Sequence, residues 1–174
     1  ACGTPVRFLR SRSVAWKHGP STLPPASTVA PARTASSTRL RTVASASAFI
    51  GLPYGATYAS SKWAVLGFSE SLALELELEG HHHVHVTAVC PSYVATGLFD
   101  GARPPLGTRL LTAERVAERT VAAVLADRPR VSMPWLSQVT PVLKGITPFR
   151  LFYRVAAKLG VNTSMMRWRG RPSR

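Results

Sequence analysis

The chain has 174 residues, 45% of them apolar, which is enough for one globular domain with a hydrophobic core. It has no run of eighteen uncharged apolar residues, which excludes a transmembrane helix, and its two cysteines are too few for a disulfide scaffold. The net charge of +14 is unevenly divided, with +7 in residues 1–41, −3 in residues 42–127 and +10 in residues 128–174. This division predicts a mildly acidic globular segment between two basic ends.

Residues 1–41 are rich in Ser, Pro and Arg and contain five prolines and no acidic residue. This composition predicts a disordered basic segment, because it offers little apolar surface to offset the entropy of ordering the chain. An acid-free, Arg- and Ser-rich leader resembles an organelle transit peptide. The alternative interpretation is a segment without selected structure.

Residues 42–134 have the order of strands and helices that is typical of an α/β domain. The predicted elements, in chain order, are a strand at 40–44, a helix at 56–78, a strand at 83–90, a helix capped by Thr112 and ending near 125, and a strand at 130–133. Residues 72–79 alternate Leu with Ala or Glu, which is a strand period, but these residue types favour a helix and Gly80 is a natural stop. Alternating strands and helices predict a parallel sheet.

Residues 135–174 form an apolar, basic C-terminal extension. Apolar residues follow a helical stripe from Trp135 onward, and Pro141 and Pro148 are expected to break or kink it. Aromatic and basic residues interleaved in this way predict contact between residues 135–160 and an anionic membrane surface. The alternative is that this stripe packs against the protein's own core.

The clearest chemical signal is Tyr58 and Lys62, which are four residues apart on a predicted helix and therefore share one face. A lone Tyr-x-x-x-Lys is a weak signal. Here Ser45 lies thirteen residues upstream of the tyrosine, at the end of a predicted strand. A second predicted strand ends at Pro91 and is followed by Val94 and Thr96. A serine at a strand end, then the Tyr-x-x-x-Lys helix, then a strand with Pro-x-x-Val-x-Thr is much less common by chance than Tyr-x-x-x-Lys alone.

Together these motifs resemble the C-terminal half of the short-chain dehydrogenase/reductase superfamily over residues 42–101. The matching text is Thr-Val-Ala-Ser at 42–45, Tyr-Ala-Ser-Ser-Lys at 58–62 and Val-Cys-Pro at 89–91. Residues 111–148 resemble the membrane-associated retinol and hydroxysteroid dehydrogenase branch, in which a helix and a short strand precede an apolar, basic C-terminal region.

The resemblance implies a role for each of these side chains. Tyr58 is the general acid/base that exchanges a proton with an alcohol or carbonyl oxygen, and Lys62 stabilises its phenolate and holds the ribose of the cofactor, NAD or NADP. Ser45 hydrogen-bonds the substrate oxygen, with Ser47 as the alternative for this role. A phenol titrates near pH 10 in water, so proton exchange at neutral pH needs roughly 4 kcal/mol of extra phenolate stabilisation.

The resemblance also implies which backbone meets the cofactor. Pro91, Val94 and Thr96 correspond to the loop that contacts the nicotinamide amide. Residues 97–101 correspond to the mobile substrate lid, with a plain connecting loop as the alternative. The sequence contains no Gly-x-Gly, the turn that brings backbone to a pyrophosphate. The expected fold is therefore a partial Rossmann-like parallel sheet lacking the N-terminal cofactor-binding half, and the isolated chain is expected to show no turnover.

The implied substrate is an apolar alcohol or carbonyl compound of the retinoid, steroid or fatty alcohol class. A homodimer through the helix that carries Tyr58 and Lys62 is also expected. The implied location is the surface of the endoplasmic reticulum or of a lipid droplet, with a cytoplasmic or organelle-targeted protein as the alternative.

Two other functions are alternatives to the enzyme, namely metal binding and the binding of nucleic acid or membrane. His81, His82, His83 and His85 invite a metal site, but a solvent-exposed turn entering a strand explains them better, so no metal is predicted. The alternative function for the whole chain is a non-enzymatic basic protein that binds nucleic acid or anionic membrane through its tails. It shows no recognised nucleic-acid-reading motif, so a nucleic-acid partner is not expected.

Overall fold

Three parallel strands form the sheet on which the site is built. A computed structural model of the protein describes residues 37–170. The strands are β1 (Thr38–Val43), β2 (Val84–Pro91) and β3 (Arg130–Met133), arranged in the order β1-β2-β3. Both pairings are parallel, and the central strand is buried throughout residues 86–90. The predicted α/β class with a parallel sheet is confirmed.

Helices cover both faces of this sheet. They are α1 (Ala56–Leu78) and α2 (Ala113–Leu125), and α2 is capped by the Thr112 hydroxyl, which accepts a hydrogen bond from the Arg115 N–H at 3.3 Å. Successive side chains of β2 point to opposite faces. Cys90 accordingly packs in one apolar cluster with residues of α1, while Val89 packs in another with Ala123 of α2.

The alternating leucines near the end of α1 lie on a helix, as predicted. Leu72 and Leu76, which are four residues apart, are half-buried, whereas Leu74 and Leu78 are exposed. Because every second residue is a leucine, the leucines lie on different sides of the helix. The high helix propensity of Leu, Ala and Glu decides for a helix over a strand.

The first strand begins earlier than the sequence predicts. Residues 38 and 39, which precede the predicted strand and are expected to be disordered, belong to β1, which pairs with β2 from Thr38 opposite Val84 onward. The backbone ladder explains the difference, because an exposed edge strand tolerates the polar side chains that argue for disorder. The remainder of that prediction, residues 1–36, lies outside the described residues.

Two further helices follow β3, namely α3 (Trp135–Ile146) and α4 (Phe149–Lys158). Of the two prolines expected to break or kink the helical stripe, Pro141 lies inside α3, which runs through it. The break occurs at Pro148, in the N-cap position of α4. An interior proline removes one backbone hydrogen bond, and the other turns hold α3 together. Within residues 37–170, none of the helices combines the length and hydropathy needed to cross a membrane.

Candidate active site

A cavity of about 260 Å³ opens at the carboxyl ends of the strands. All three strands lead into it, since Ser45 follows β1, Ser92 and Tyr93 follow β2, and Ser137 follows β3. The carboxyl edge of a parallel sheet is where the connecting segments of neighbouring strands converge. Residues far apart in sequence are therefore brought to one site.

The wall of this cavity is mainly apolar. Its large apolar members are Ile50, Leu52, Phe99, Leu106, Leu136, Leu143, Phe152 and Leu159. None of the described residues that line it is charged. Two of its threonine hydroxyls donate to nearby backbone carbonyls, Thr108 to that of Pro105 at 2.6 Å and Thr140 to that of Leu136 at 2.8 Å. The lining therefore suits a neutral, largely apolar molecule.

Tyr58 and Lys62 lie together beside the cavity. Tyr58, in the first turn of α1, is half-buried and lines the cavity. The Nζ atom of Lys62 lies 5.7 Å from the centroid of the Tyr58 ring and donates a hydrogen bond to the Val43 carbonyl at 3.1 Å. The predicted shared face is confirmed, and the end of β1 fixes where the ammonium group sits.

Ser45 and Ser47 both line the cavity from the loop after β1. The Ser45 hydroxyl accepts a hydrogen bond from the Ser47 N–H at 3.2 Å and donates to the Pro91 carbonyl at 3.4 Å, so it links the ends of β1 and β2. The Ser47 hydroxyl is buried and has no hydrogen-bond partner among residues 37–170. Of the two, Ser45 is the one held in place by its neighbours.

The three residues expected to meet the nicotinamide lie outside the cavity wall. Pro91 ends β2, Val94 forms a bridge with Leu111, and the Thr96 N–H donates to the Val94 carbonyl at 2.8 Å. The structure thus gathers Ser45, Ser47 and Tyr58 at the cavity and places Lys62 beside it. The cofactor role of the loop residues stays a prediction.

Two other ionisable groups near the site are held in their neutral forms. Burial raises the pKa of the Tyr93 phenol, although this residue also lines the cavity. Burial likewise raises the pKa of the Cys90 thiol to about 11, which excludes a thiolate nucleophile near neutral pH. The phenol that has a cation beside it is that of Tyr58.

Sequence reasoning misses the aromatic neighbours of Tyr58. Its ring centroid lies 5.9 Å from that of Phe99 and 5.9 Å from that of Trp168. Phe99 falls in the loop assigned to the substrate lid, which is the signal that could have indicated it. Trp168 lies 110 positions along the chain from Tyr58, and no local pattern announces the contact.

Comparison with known proteins agrees with this geometry. Residues 21–106 match the family model described as short chain dehydrogenase. The chain is 32% identical over 125 residues to short-chain dehydrogenase/reductase family 16C member 6 of Bos taurus, covering 71% of this chain and 40% of that relative. The chain is therefore similar to proteins of the short-chain dehydrogenase/reductase family.

Further matches fall in the predicted branch of short-chain dehydrogenases. Human retinol dehydrogenase 10 is 32% identical over 117 residues, covering 62% of this chain and 33% of that relative. Human estradiol 17-beta-dehydrogenase 11 is 31% identical over 120 residues, covering 69% and 40%. The chain thus spans at most 40% of the length of these relatives. The predicted resemblance to retinol and hydroxysteroid dehydrogenases is confirmed.

A solved structure also matches, that of a short chain dehydrogenase from Burkholderia cenocepacia J2315 in complex with NADP. It is 26% identical with a TM-score of 0.49, and the match covers 70% of this chain and 46% of that one. Short-chain dehydrogenases use NAD or NADP. The donor set beside the cavity is compatible with the ribose end of such a cofactor, because the Lys62 ammonium has three N–H donors and the Val43 carbonyl takes one.

Proposed function

We propose that this chain carries the proton-transfer and substrate-binding part of an NAD(P)-dependent oxidoreductase that interconverts an alcohol and a carbonyl. The observation that carries the proposal is the phenol of Tyr58 at an apolar cavity with the Lys62 ammonium 5.7 Å from its ring. Charge on a phenolate is stabilised by a nearby cation most strongly where water is scarce. The apolar wall provides that environment.

Tyr58, Lys62 and Ser45 have different tasks in the proposed reaction. A nicotinamide cofactor held at its ribose by Lys62 would supply the hydride acceptor or donor. Tyr58 gives its hydroxyl proton to the oxygen when a carbonyl is reduced and takes a proton back when an alcohol is oxidised. Lys62 stabilises the phenolate and donates to the cofactor ribose. Ser45 turns its hydroxyl toward the substrate oxygen and fixes the orientation of the reacting bond.

The proposed substrate is a neutral apolar alcohol or ketone of the retinoid, steroid or fatty alcohol class. The wall carries no charge among its described residues, so a carboxylate or phosphate on the substrate would lose its hydration without gaining a partner. The names of the relatives, retinol and estradiol dehydrogenases, favour the same class.

Ligand binding tests the substrate class on the chain as it is. The purified chain is titrated with all-trans-retinol, followed by retinol fluorescence, and with retinoic acid as the charged control. We expect retinol to bind at least about tenfold more tightly, because the cavity cannot pair a carboxylate. Equal binding of the two ligands would contradict the proposed class.

Turnover tests the reaction. Residues 37–170 replace the matching segment of bovine short-chain dehydrogenase/reductase family 16C member 6, and the chimera is assayed with retinol and NAD or NADP. We expect nicotinamide reduction. A chimera that is folded and binds retinol, yet reduces neither cofactor with any apolar alcohol tested, would overturn the proposed reaction.

We also propose that α3 and α4 rest on an anionic membrane surface. Their inner side chains line the cavity, while Trp135, Ile146 and Phe149 are 68–75% exposed. The basic side chains Arg150 and Arg154 are exposed nearby, and residues 128–174 contain ten basic residues and no acidic one. Apolar insertion combined with attraction to anionic lipid is the usual way in which such helices bind a bilayer. A surface of the endoplasmic reticulum or of a lipid droplet is the proposed location.

Vesicle co-sedimentation tests the membrane surface. We expect binding to phosphatidylcholine vesicles that contain phosphatidylserine, weaker binding at high salt, and loss of binding in the double variant Ile146→Ser, Phe149→Ser. Arg119→Ser, on α2, is the control variant. Absence of binding at low salt would remove this proposal without affecting the proposed reaction.

The homodimer proposal concerns α1. Trp63, Leu74 and Leu78 lie on one side of this helix and are 44–86% exposed, and Gly67 between them leaves open space for a close approach. We expect light scattering to show a dimer that Leu74→Glu converts to a monomer. A monomeric native chain would contradict the proposed interface.

A further inference from the structure

A C-terminal strap, residues 164–170, crosses the loop formed by residues 97–106. The Arg103 N–H donates to the Ser164 carbonyl at 2.8 Å, and the Arg169 N–H donates to the Asp100 carbonyl at 3.0 Å. Between these bonds, the indole N–H of Trp168 donates to the Leu98 carbonyl at 2.8 Å. The strap is therefore bonded to the loop near both of its ends, at Ser164 and at the adjacent residues Trp168 and Arg169.

Close packing explains why the strap has a fixed position. Gly101 has a φ of +83°, and a Cβ at this position would collide with the carbonyl oxygen of Arg167. Only glycine combines this φ with such a close approach. At the start of the strap Ser164 and Met165 are 1% and 2% exposed. The strap is anchored by burial as well as by hydrogen bonds.

The strap and the loop meet over Tyr58. Trp168 approaches the Tyr58 ring with an interplanar angle of 61°, and Phe99 approaches it at 89°, both with centroids 5.9 Å apart. Phe99 is in turn packed on Tyr93, at 5.1 Å. Edge contacts of this kind are favourable and restrict the orientation of the rings. Tyr58 is thus held by one aromatic residue from each of two segments that are bonded to each other.

We infer that Trp168 is a positioning residue for Tyr58. Its ring, fixed by the bond to Leu98, keeps the Tyr58 side chain at the cavity and shields it from water. The inference rests on the proposed function only in taking Tyr58 as the acid/base. Trp168 lies outside residues 21–106, the part that matches the family model. The consequence is a catalytic phenol whose placement depends on the far end of the chain.

The first test needs no turnover. Nitration of tyrosines by tetranitromethane is followed by peptide mass spectrometry in the native chain and in Trp168→Ala, Trp168→Phe and Met166→Ala. Tyr54, which is 67% exposed, serves as the internal reference. We expect Tyr58 in Trp168→Ala to react roughly fivefold faster, while Tyr54 is unchanged. Trp168→Phe keeps an aromatic ring but loses the hydrogen bond to Leu98, and its Tyr58 is expected to react at a rate between those of the native chain and Trp168→Ala.

Met166→Ala is the matched control, because Met166 belongs to the strap but is 59% exposed. It is expected to leave Tyr58 unchanged. An unchanged Tyr58 rate in Trp168→Ala would overturn the inference. So would an equal rise at Tyr54, since this would indicate general loosening.

A second test uses the active chimera. Trp168→Ala is expected to lower kcat on the order of tenfold or more with KM nearly unchanged, because a misplaced acid/base slows the chemical step. A change confined to KM would contradict the positioning role. If turnover does not depend on Tyr58 at all, the proposed function fails, whereas the nitration result still decides whether Trp168 holds the ring.

Discussion

Each end of the parallel sheet carries a cavity, about 260 Å³ at the carboxyl end and about 210 Å³ at the amino end. The carboxyl-end cavity is mainly apolar and is lined by Ser45 and Ser47 from the loop after β1 and by Tyr58 from α1. The amino-end cavity is polar and is lined by Glu77, His81, His82, His85 and Asp127. The two differ far more in chemistry than in size.

The difference shows that ionisable residues alone do not make a site. Among residues 37–170, no three His, Cys, Asp or Glu side chains converge as metal ligands, although four histidines lie near the amino-end cavity. At the carboxyl end, the proposed reaction uses the phenol of Tyr58, the ammonium group of Lys62 and an apolar wall. Strand direction decides this, because the segments that leave parallel strands converge at the carboxyl edge.

The largest expected effect comes from comparing the loss of a cation at the carboxyl end of the sheet, Lys62, with the loss of one at the amino end, Arg39. Lys62→Met in the active chimera is expected to lower kcat on the order of a hundredfold, because the phenolate loses its nearby positive charge. The control is Arg39→Met, which removes a cation that pairs with Asp127 at 2.9 Å at the amino end. Comparable losses in both variants would contradict the assignment of chemistry to the carboxyl end.

A charge placed in each cavity gives the next effect. Leu136→Asp is expected to weaken retinol binding on the order of a hundredfold, because a carboxylate in an apolar wall must be desolvated or accompanied by water. His82→Asp at the amino end is expected to leave binding unchanged. Fluorescence titration of both variants, with circular dichroism to verify folding, makes the comparison. Tight retinol binding by Leu136→Asp would place the ligand elsewhere.

High pH is expected to weaken the centre of the sheet. Burial raises the pKa of the Cys90 thiol from 9.0 to about 11, because the folded protein favours the neutral thiol. The folded state therefore has its full stability below pH 9, and the contribution of this thiol is lost as pH rises through 11. At pH 10.5 this costs about 2 kcal/mol relative to neutral pH. Urea unfolding at pH 7.5 and 10.5 measures the loss, and Cys90→Ala should show correspondingly less of it. Equal losses in both proteins would refute the assignment to this thiol.

The smallest effect belongs to the amino end. Arg39 and Asp127 form an ion pair with side chains about one-third exposed. Asp127→Asn is expected to lower the free energy of unfolding by less than about 1 kcal/mol, and high salt should diminish the difference. A loss of several kcal/mol would show that this end of the sheet is more than a solvated edge.

The sequence predicted those structural features that depend on the spacing of residues close together in the chain. The limits of α1 follow from helix propensity and Gly80, and the shared face of Tyr58 and Lys62 follows from a separation of four residues. The position of Ser45 after β1 follows from the end of a strand. Each of these features depends only on residues that are close together in the sequence.

The features that sequence did not predict depend on contacts between distant segments. β1 begins at Thr38 because β2 pairs with it, although the composition of the segment argues against order. The wall contributed by α3 and α4, and the contact of Trp168 with Tyr58, join residues about a hundred positions apart. No periodicity encodes such contacts, since they depend on where the sheet places each helix.

The central claim is that the phenol of Tyr58 exchanges the proton with the substrate oxygen. The most direct measurement is the turnover of the Tyr58→Phe chimera, with retinol binding measured on the same sample. The account predicts retinol affinity within about threefold of the parent and turnover reduced on the order of a thousandfold. Turnover within tenfold of the parent, at unchanged binding, would contradict it.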